Sequence, residues 1–364
     1  MDRILLNEKA VRKNKALRRL NRAARKAYGK SGRPVIKSKL CKLVNMGELT
    51  ARHMAGGADK LEGSLAQMPA SAKELLEVIR RKGLAGMSGS GFPVEKKIEA
   101  FIEAAVPEKT LIVNAAECEP GLVHDEWLVK NRYREICQGV EILKKCLSID
   151  RCMVAEKTGG LKSEGVIEVC RVPARYPMGA ERILIEQVMG RRLEKGELPA
   201  RLGILVMNVQ TVYQLLLACR GLNTEQRYVT LMNIDTGAAV VAQVAYGSDI
   251  RQLLIEEFGA ENEFYAGEGL LHAHPLDEGE CFGQKICFAA AGHAAKPYSM
   301  GKCKGCGNCQ RVCPMQIKVK EIVRRRDKNP QADISGLGAD RCLHCNSCAY
   351  VCAAHKNVSG YMEA

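Results

Sequence analysis

The 364-residue sequence has no apolar run approaching the ~20 residues that cross a bilayer, and no signal peptide is expected at its start. Its 17 cysteines show no disulfide-framework spacing. That pattern argues against an extracellular scaffold and for a reducing, cytoplasmic setting. No acidic residue occurs between Lys9 and Lys30. In this stretch Leu17, Leu20, Ala24, Ala27 and Tyr28 share one helical face, ringed by Arg18, Arg19, Arg22, Arg25 and Lys26. Residues 1–45 therefore read as a basic arm, either simply solvated or docking to an acidic partner or anionic lipid at the inner face of a membrane. Tyr28 is its only aromatic. Without a stacking platform, nucleic acid is excluded as the expected partner. Neither a dinucleotide fingerprint nor a Walker loop occurs.

What is present is a pair of cysteine runs. Cys303, Cys306, Cys309 and Cys313 form the first, with Pro314 directly after; Cys342, Cys345, Cys348 and Cys352 form the second. Both repeat the spacing of a bacterial two-cluster ferredoxin, in which three thiolates come from one tight loop and the fourth from the other run. One [4Fe-4S] cluster is thus assigned to Cys303, Cys306, Cys309 and Cys352, the other to Cys342, Cys345, Cys348 and Cys313. Paired zinc sites are the alternative, but zinc does not call for a fourth cysteine three residues on, twice over. The formal charge of +14 counts cysteines as neutral. Two clusters bring it to about +10, still basic enough to favour an acidic partner or anionic surface.

Upstream, Ser71 and Glu74 form a capping box before the apolar face of Leu75, Leu76, Val78 and Ile79, and Gly83 ends that helix. Next comes Gly86-Met87-Ser88-Gly89-Ser90-Gly91-Phe92-Pro93, opening a helix that carries Lys96 and Lys97. A glycine-rich loop at a helix start is a ready phosphate cradle. A buried strand over 110–113 runs into Asn114-Ala115-Ala116-Glu117-Cys118-Glu119-Pro120-Gly121, polar groups at the strand end where open α/β sheets bind ligands. One helix over 125–147 follows, then strands over 152–155 and 166–172. Tyr176-Pro177-Met178-Gly179-Ala180-Glu181 leads into a helix over 182–189. A strand over 203–207 ends at Asn208 and turns through Thr211 into a last helix. This alternation predicts a parallel sheet covered on both faces. Residues 227–290 change to short strands with one helix opened by Asp249. His272 and His274 in that segment read as loop histidines lacking an acidic partner in register, and His344 and His355 as neighbours that tune the clusters.

The ordered set of Gly86–Pro93, Asn114–Gly121, Tyr176–Glu181 and Asn208–Thr211, followed by twin cysteine runs, resembles the C subunit of the Rnf electron-transport complex. That family is related to the NADH-oxidising subunit of complex I and to the cobalamin reductase of propanediol microcompartments. The resemblance implies an α/β architecture. It comprises a Rossmann-like flavin domain with a parallel sheet at 70–222, a small β-grasp (SLBB) module at 227–290 and a C-terminal two-cluster ferredoxin-like α lobe at 297–357. It implies FMN, with its phosphate cradled by Gly86, Gly89, Gly91 and Lys97. Asn114, Glu117, Tyr176, Gly179 and Asn208 would line the flavin, with Thr211 near the phosphate end. Phe92, Glu119 and Glu181 would face NAD(H). Ser88 stands where the family usually has glycine, Met87 where the complex I relatives have arginine, and Ala116 and Ala180 where those relatives have acids. The expected function is an iron–sulfur flavoprotein passing electrons between NAD(H), FMN and a partner protein or the other subunits of a complex. The alternative is a cluster-only adaptor with a degenerate flavin domain.

Overall fold

The computed structural model describes residues 68–362 apart from 118, 158, 195, 294 and 298–300, together with the backbone of two short strands, Asp2–Arg3 and Arg52–His53. The basic helix expected within 9–30, Cys41 and Cys118 lie outside the described residues.

Helix α1 (Ala72–Lys82) is capped as its sequence predicts. Glu74 N donates to Ser71 Oγ at 3.3 Å, and Glu74 Oε2 reaches back to Ala70 N at 2.9 Å. The helix stops at Gly83, whose φ of 58° is left-handed. After α2 (Val94–Ile102) comes the parallel sheet: β1 (Thr110–Ala115), β2 (Arg151–Glu156), β3 (Ile167–Arg171) and β4 (Ile204–Asn208), in the order β3-β2-β1-β4. Strand alternation divides the core in two. Leu111, Val113, Val154, Leu205 and Met207 face a layer with α1, α2, α4 (Tyr133–Leu147) and α6 (Val209–Cys219). Ile112, Met153, Ala155, Ile204 and Val206 face the other side, against Leu184 and Ile185 of α5 (Glu181–Met189). Burial on both faces explains why β1 is an unbroken apolar run. Each fully buried Leu or Ile here contributes about 1.5–3 kcal/mol.

The single helix expected over 125–147 is two. Helix α3 (His124–Asn131) ends at Arg132, where φ is −134°, and α4 begins at Tyr133. Asn131 Nδ2 takes the Trp127 carbonyl at 2.8 Å, the acceptor its own backbone N–H would use in a continuing helix.

The second module is a five-stranded sheet in the order β8-β7-β9-β5-β6, packed on α7 (Ile250–Phe258), with Arg52–His53 pairing parallel to β6. Its strands are β5 (Gln226–Asn233), β6 (Ala239–Ala245), β7 (Glu263–Gly267), β8 (Ala273–Pro275) and β9 (Phe288–Gly292). The first and last of these, β5 and β9, lie side by side and parallel at the centre, the β-grasp arrangement. The C-terminal lobe has three short helices: α8 (Asn308–Val312), α9 (Val319–Arg326) and α10 (Ser347–Tyr350). They surround Ile317, Ile322, Val323 and Val358, with six of the cysteines against this core.

Candidate functional site

The C-terminal lobe is an internal repeat. Each cysteine of the first loop recurs 39 residues later, from Cys303/Cys342 to Cys313/Cys352. The backbone repeats too: Gly305 and His344, Gly307 and Asn346, and Gln316 and His355 all have φ between 49° and 72°. These left-handed positions turn the chain so that its thiols point inward. Backbone N–H groups of Gly305, His344 and Lys356 point at the sulfurs of Cys303, Cys342 and Cys352, each at 3.4 Å. Such bonds favour thiolate over thiol.

The two cysteine loops bring their thiols close to one another across the lobe. Burial above all pushes the Cys309 thiol up to about 12, and the neighbouring Cys352, Cys303 and Cys306 add to it. Burial likewise pushes Cys348 well above the usual range, with Cys345, Cys342, Cys309 and Cys313 as its thiol neighbours. Four thiols sharing one zinc ion at ~2.3 Å would lie under ~4 Å apart. Among the described residues no three cysteine sulfurs lie within 4.8 Å of one another. That spacing is wider than four thiolates on one zinc ion take.

A cleft of about 260 Å³ opens at the C-terminal ends of β1 and β4. Of the residues expected to bind FMN or NAD(H), Gly86, Phe92, Lys97, Asn114, Gly179, Glu181, Asn208 and Thr211 line it. Gly86 N donates to Phe92 O at 2.8 Å and closes the loop on itself. Met87 N donates to Thr211 Oγ1 at 2.9 Å, tying the loop to α6. Gly89, at φ 103°, takes a conformation that side chains avoid. Asn114 Nδ2 holds the Gly179 carbonyl at 2.8 Å, joining two of the predicted motifs. Lys97 Nζ spans the cleft to Glu181 Oε1 (2.8 Å) and the Val206 carbonyl (3.0 Å). Phe92 stands half exposed beside them. The N-termini of α2 and α5 lack side-chain caps and open here. With Lys97, these orphan N–H groups suit a phosphate, so the donor set fits FMN.

The structure places Gly89, Gly91, Glu117, Glu119 and Tyr176 outside this lining; Gly89 lies against Glu268 and Gly91 against Lys285 instead. Glu117, buried at φ 44°, sits 3.9 Å from Lys157 Nζ. Burial raises it to about 8, opposed by Lys157 and reinforced by Glu126 and Asp125. Glu119 and Tyr176 are the joint between lobes. Tyr176 Oη lies 2.7 Å from Glu119 Oε1 and 2.8 Å from the carbonyl of Cys345. His272 Nδ1 lies 2.8 Å from Glu119 Oε1, and its Nε2 donates to the His344 carbonyl at 2.7 Å. Asn346 Nδ2 adds a bond to Leu271 O. Gly269 packs directly against the Glu119 side chain, an approach no larger residue would permit.

The expectation that His272 and His274 lack acidic partners is overturned: His272 pairs with Glu119, and His274 Nε2 lies 2.9 Å from Glu280 Oε1. The carboxylates arrive from other turns of the chain. His274, Asp277 and Glu280 can bring donor atoms within 4.8 Å of one another. Both Glu280 oxygens are already engaged, one by His274 and one by Asp277 N, which makes this an ion pair closing a loop.

The His272 joint responds to pH. Burial opposes its charge, but the bond and charge of Glu119 and the His344 carbonyl outweigh burial and raise it to about 9. A folded-state value above the unfolded one gives stability that is full below about 6.5 and lost as pH rises through about 9. Thermal midpoints should fall by the equivalent of about 1–2 kcal/mol across that window in the native chain. His272→Gln should flatten the profile; an unchanged slope would remove His272 as the cause.

Sequence reasoning missed a buried layer behind the cleft. Asn208 Oδ1 caps α6 by accepting from Gln210 N, and its Nδ2 donates to Asp125 Oδ2 at 2.6 Å. Burial raises Asp125 to about 6, opposed by Asn208, Arg227 and Lys157. Its Oδ1 has no hydrogen-bond partner. His124 is neutral, lowered to about 3 by burial and then by Arg227. Arg227 is fully buried and donates to the carbonyls of Met87 (2.7 Å), Gln284 (2.7 Å) and Gly283 (3.1 Å). An acid one residue into a helix carries the only sequence trace of this layer.

Two family models match parts of the chain. Residues 79–216 match the family model of the Nuo51 FMN-binding domain, and residues 302–355 that of the 4Fe-4S dicluster domain. The C subunit of the ion-translocating oxidoreductase complex of Pseudomonas aeruginosa is 29% identical over 266 residues, 68% of this chain and 34% of that protein. The C subunit of the proton-translocating ferredoxin:NAD(+) oxidoreductase complex of Clostridium ljungdahlii is 35% identical over 174 residues, 44% of this chain and 37% of that one. The chain thus spans about a third of the length of such relatives. A crystal structure of NAD+-reducing [NiFe]-hydrogenase in the H2-reduced state shares the fold with a TM-score of 0.56 and 14% identity. The likeness covers 82% of this chain and 64% of the hydrogenase chain. The chain is thus similar to the C subunits of ion-translocating oxidoreductase complexes, and it matches the Nuo51 FMN-binding domain model ahead of the 4Fe-4S dicluster domain model.

Proposed function

We propose that this protein is the electron-entry component of a larger oxidoreductase complex, moving electrons between NAD(H) and a partner through FMN and two [4Fe-4S] clusters. One observation carries the reading: Tyr176, from a motif beside the phosphate-suited cleft, is hydrogen-bonded to the carbonyl of Cys345, a ligand of one quartet. Bound FMN would supply the exchange of a two-electron hydride for single electrons. The protein's own part is positional. Lys97 and the open ends of α2 and α5 hold the phosphate, and Asn114 fixes the Gly179 turn against the strand ends. Phe92 offers an exposed ring at the cleft mouth for a nicotinamide or adenine to cover. The Glu119–Tyr176–His272 joint fixes the distance from this site to the second cysteine loop. The other subunits of such a complex are the proposed partners. No helix among the described residues is long and apolar enough to cross a membrane.

Anaerobic purification with flavin and iron analysis tests the reading, followed by NADH reduction of a viologen dye. Lys97→Met should weaken FMN binding by roughly tenfold to a hundredfold, the loss of one charge-assisted phosphate contact, without changing iron content. The cluster-only adaptor is the second reading. It is favoured by the Glu181 carboxylate that already occupies Lys97. Full iron with no flavin after FMN incubation, and equal behaviour of Lys97→Met, would decide for the adaptor.

A further inference from the structure

The buried layer behind the cleft holds one acid that neither the relay nor packing accounts for. Asp125 is the second residue of α3, buried, with its Oδ1 free of any hydrogen bond. His124 Nε2 lies 3.7 Å from that oxygen, too far to bond, and the imidazole is neutral. Burial pushes the acid up; Asn208 does most to hold it down, ahead of Arg227 and Lys157. A buried, half-satisfied carboxyl adds little stability and suits packing poorly. Such groups collect where a fold gives up stability for a site.

What Asp125 touches leads to the cleft. Its Oδ2 accepts from Asn208 Nδ2 at 2.6 Å. Asn208 is the last residue of β4, is buried, and lines the cleft. Its Oδ1 is turned the other way, onto the N–H groups of Gln210 (2.9 Å) and Thr211 (3.4 Å) at the start of α6. An asparagine amide has one donor end and one acceptor end. The carboxylate takes the donor end, so the acceptor end is the one that meets the helix. Without the carboxylate, Nδ2 would be a buried donor left unpaired, and a flipped amide would set N–H against N–H. From Thr211 the bonds run on. Thr211 Oγ1 accepts from Met87 N at 2.9 Å, and Met87 O accepts from Arg227 Nη2 at 2.7 Å. Met87 follows Gly86 in the glycine loop, and Gly86 and Thr211 both line the cleft. One carboxylate thus sets the polarity of a chain of bonds that reaches from α3 to the glycine loop.

We infer that Asp125 is a positioning residue of the flavin cleft: it fixes the Asn208 amide, and through it Thr211 and the glycine loop. This rests on the flavin reading proposed above and adds the residue that holds the back wall of that site. Asp125 does not itself line the cleft, so it acts on a bound flavin through Asn208.

The test titrates FMN into the flavin-free full chain, loaded with clusters anaerobically, and follows flavin fluorescence. Asp125→Ala should weaken FMN binding by about tenfold, the loss of one charge-assisted bond behind a wall residue. Asn208→Ala should weaken it at least as much. The double variant should match Asn208→Ala within about twofold, because the two residues act as one unit. Asp125→Asn should stay within about threefold of native, since its amide oxygen still accepts from Asn208. Asp125→Leu fills the volume of the carboxyl and should show the same loss as Asp125→Ala; it takes that variant's place if the alanine chain does not fold. Iron content should remain native throughout. Losses that multiply in the double variant would overturn the inference, since Asp125 would then act apart from Asn208. So would native FMN affinity in folded Asp125→Ala or Asp125→Leu. A native chain that takes up no FMN refutes the flavin reading itself. A chain that binds FMN and is indifferent to Asp125 refutes only the positioning role.

Discussion

The Cys313→Ala/Cys342→Ala double variant should keep about half of the native iron, whereas Cys303→Ala/Cys313→Ala should keep almost none. The difference follows from the crossed quartets. In the proposed assignment Cys313 and Cys342 share one cluster, so removing both disables a single site. Cys303 and Cys313 stand close in sequence but are assigned to different clusters, so removing them strips a ligand from each. A sequential arrangement, with each run holding its own cluster, reverses the two outcomes. Iron and acid-labile sulfide per chain, measured after anaerobic reconstitution, decide between them. The effect on folding should also be large. Six of the eight cysteines pack directly against the apolar core of the lobe, so an empty quartet leaves a void in a domain of only about 60 residues.

The second large effect is expected at Arg227. Arg227→Met should cost about 3–5 kcal/mol of stability, because a fully buried fork serves three carbonyls on two different loops. Gly283 and Gln284 belong to the β-grasp module, and Met87 to the glycine loop of the flavin domain. The guanidinium therefore clamps the phosphate cradle to its neighbour. FMN affinity should fall with stability. Arg227→Lys should be intermediate, since a lysine keeps the charge but cannot reach all three acceptors. Denaturant midpoints and flavin titration measure the two effects. A Met variant within about 1 kcal/mol of native, with unchanged flavin affinity, would assign the clamp to the backbone alone.

Much of this was legible in the sequence because it is local. The cysteine runs, the capping box at Ser71 and the apolar strand ending at Asn114 each fit within a few residues, and the structure builds them as read. The glycine loop was equally clear, since three glycines before a helix leave few other conformations. Arg227 was invisible because it stands in an apolar strand, and only the arrival of Met87 from 140 positions away explains its burial. Glu119 was drawn to the nicotinamide by its motif. The structure instead gives it to Tyr176 and His272, because Gly269 admits its side chain into the joint between lobes. The split at Arg132 was hidden for another reason: neither proline nor glycine marks it.

The duplicated loops carry one more consequence. In the first copy two of the three left-handed positions are glycines, at 305 and 307, which take such angles unaided. In the second they are His344 and Asn346, and both are gripped by the β-grasp module through His272 and Leu271. The halves of the lobe have thus ceased to be equivalent. One is a self-sufficient tip facing outward, and the other a plug whose shape is completed by its socket. In electrical language, the wire has a soldered end and a contact end, and only the soldered end is held to a fixed gap.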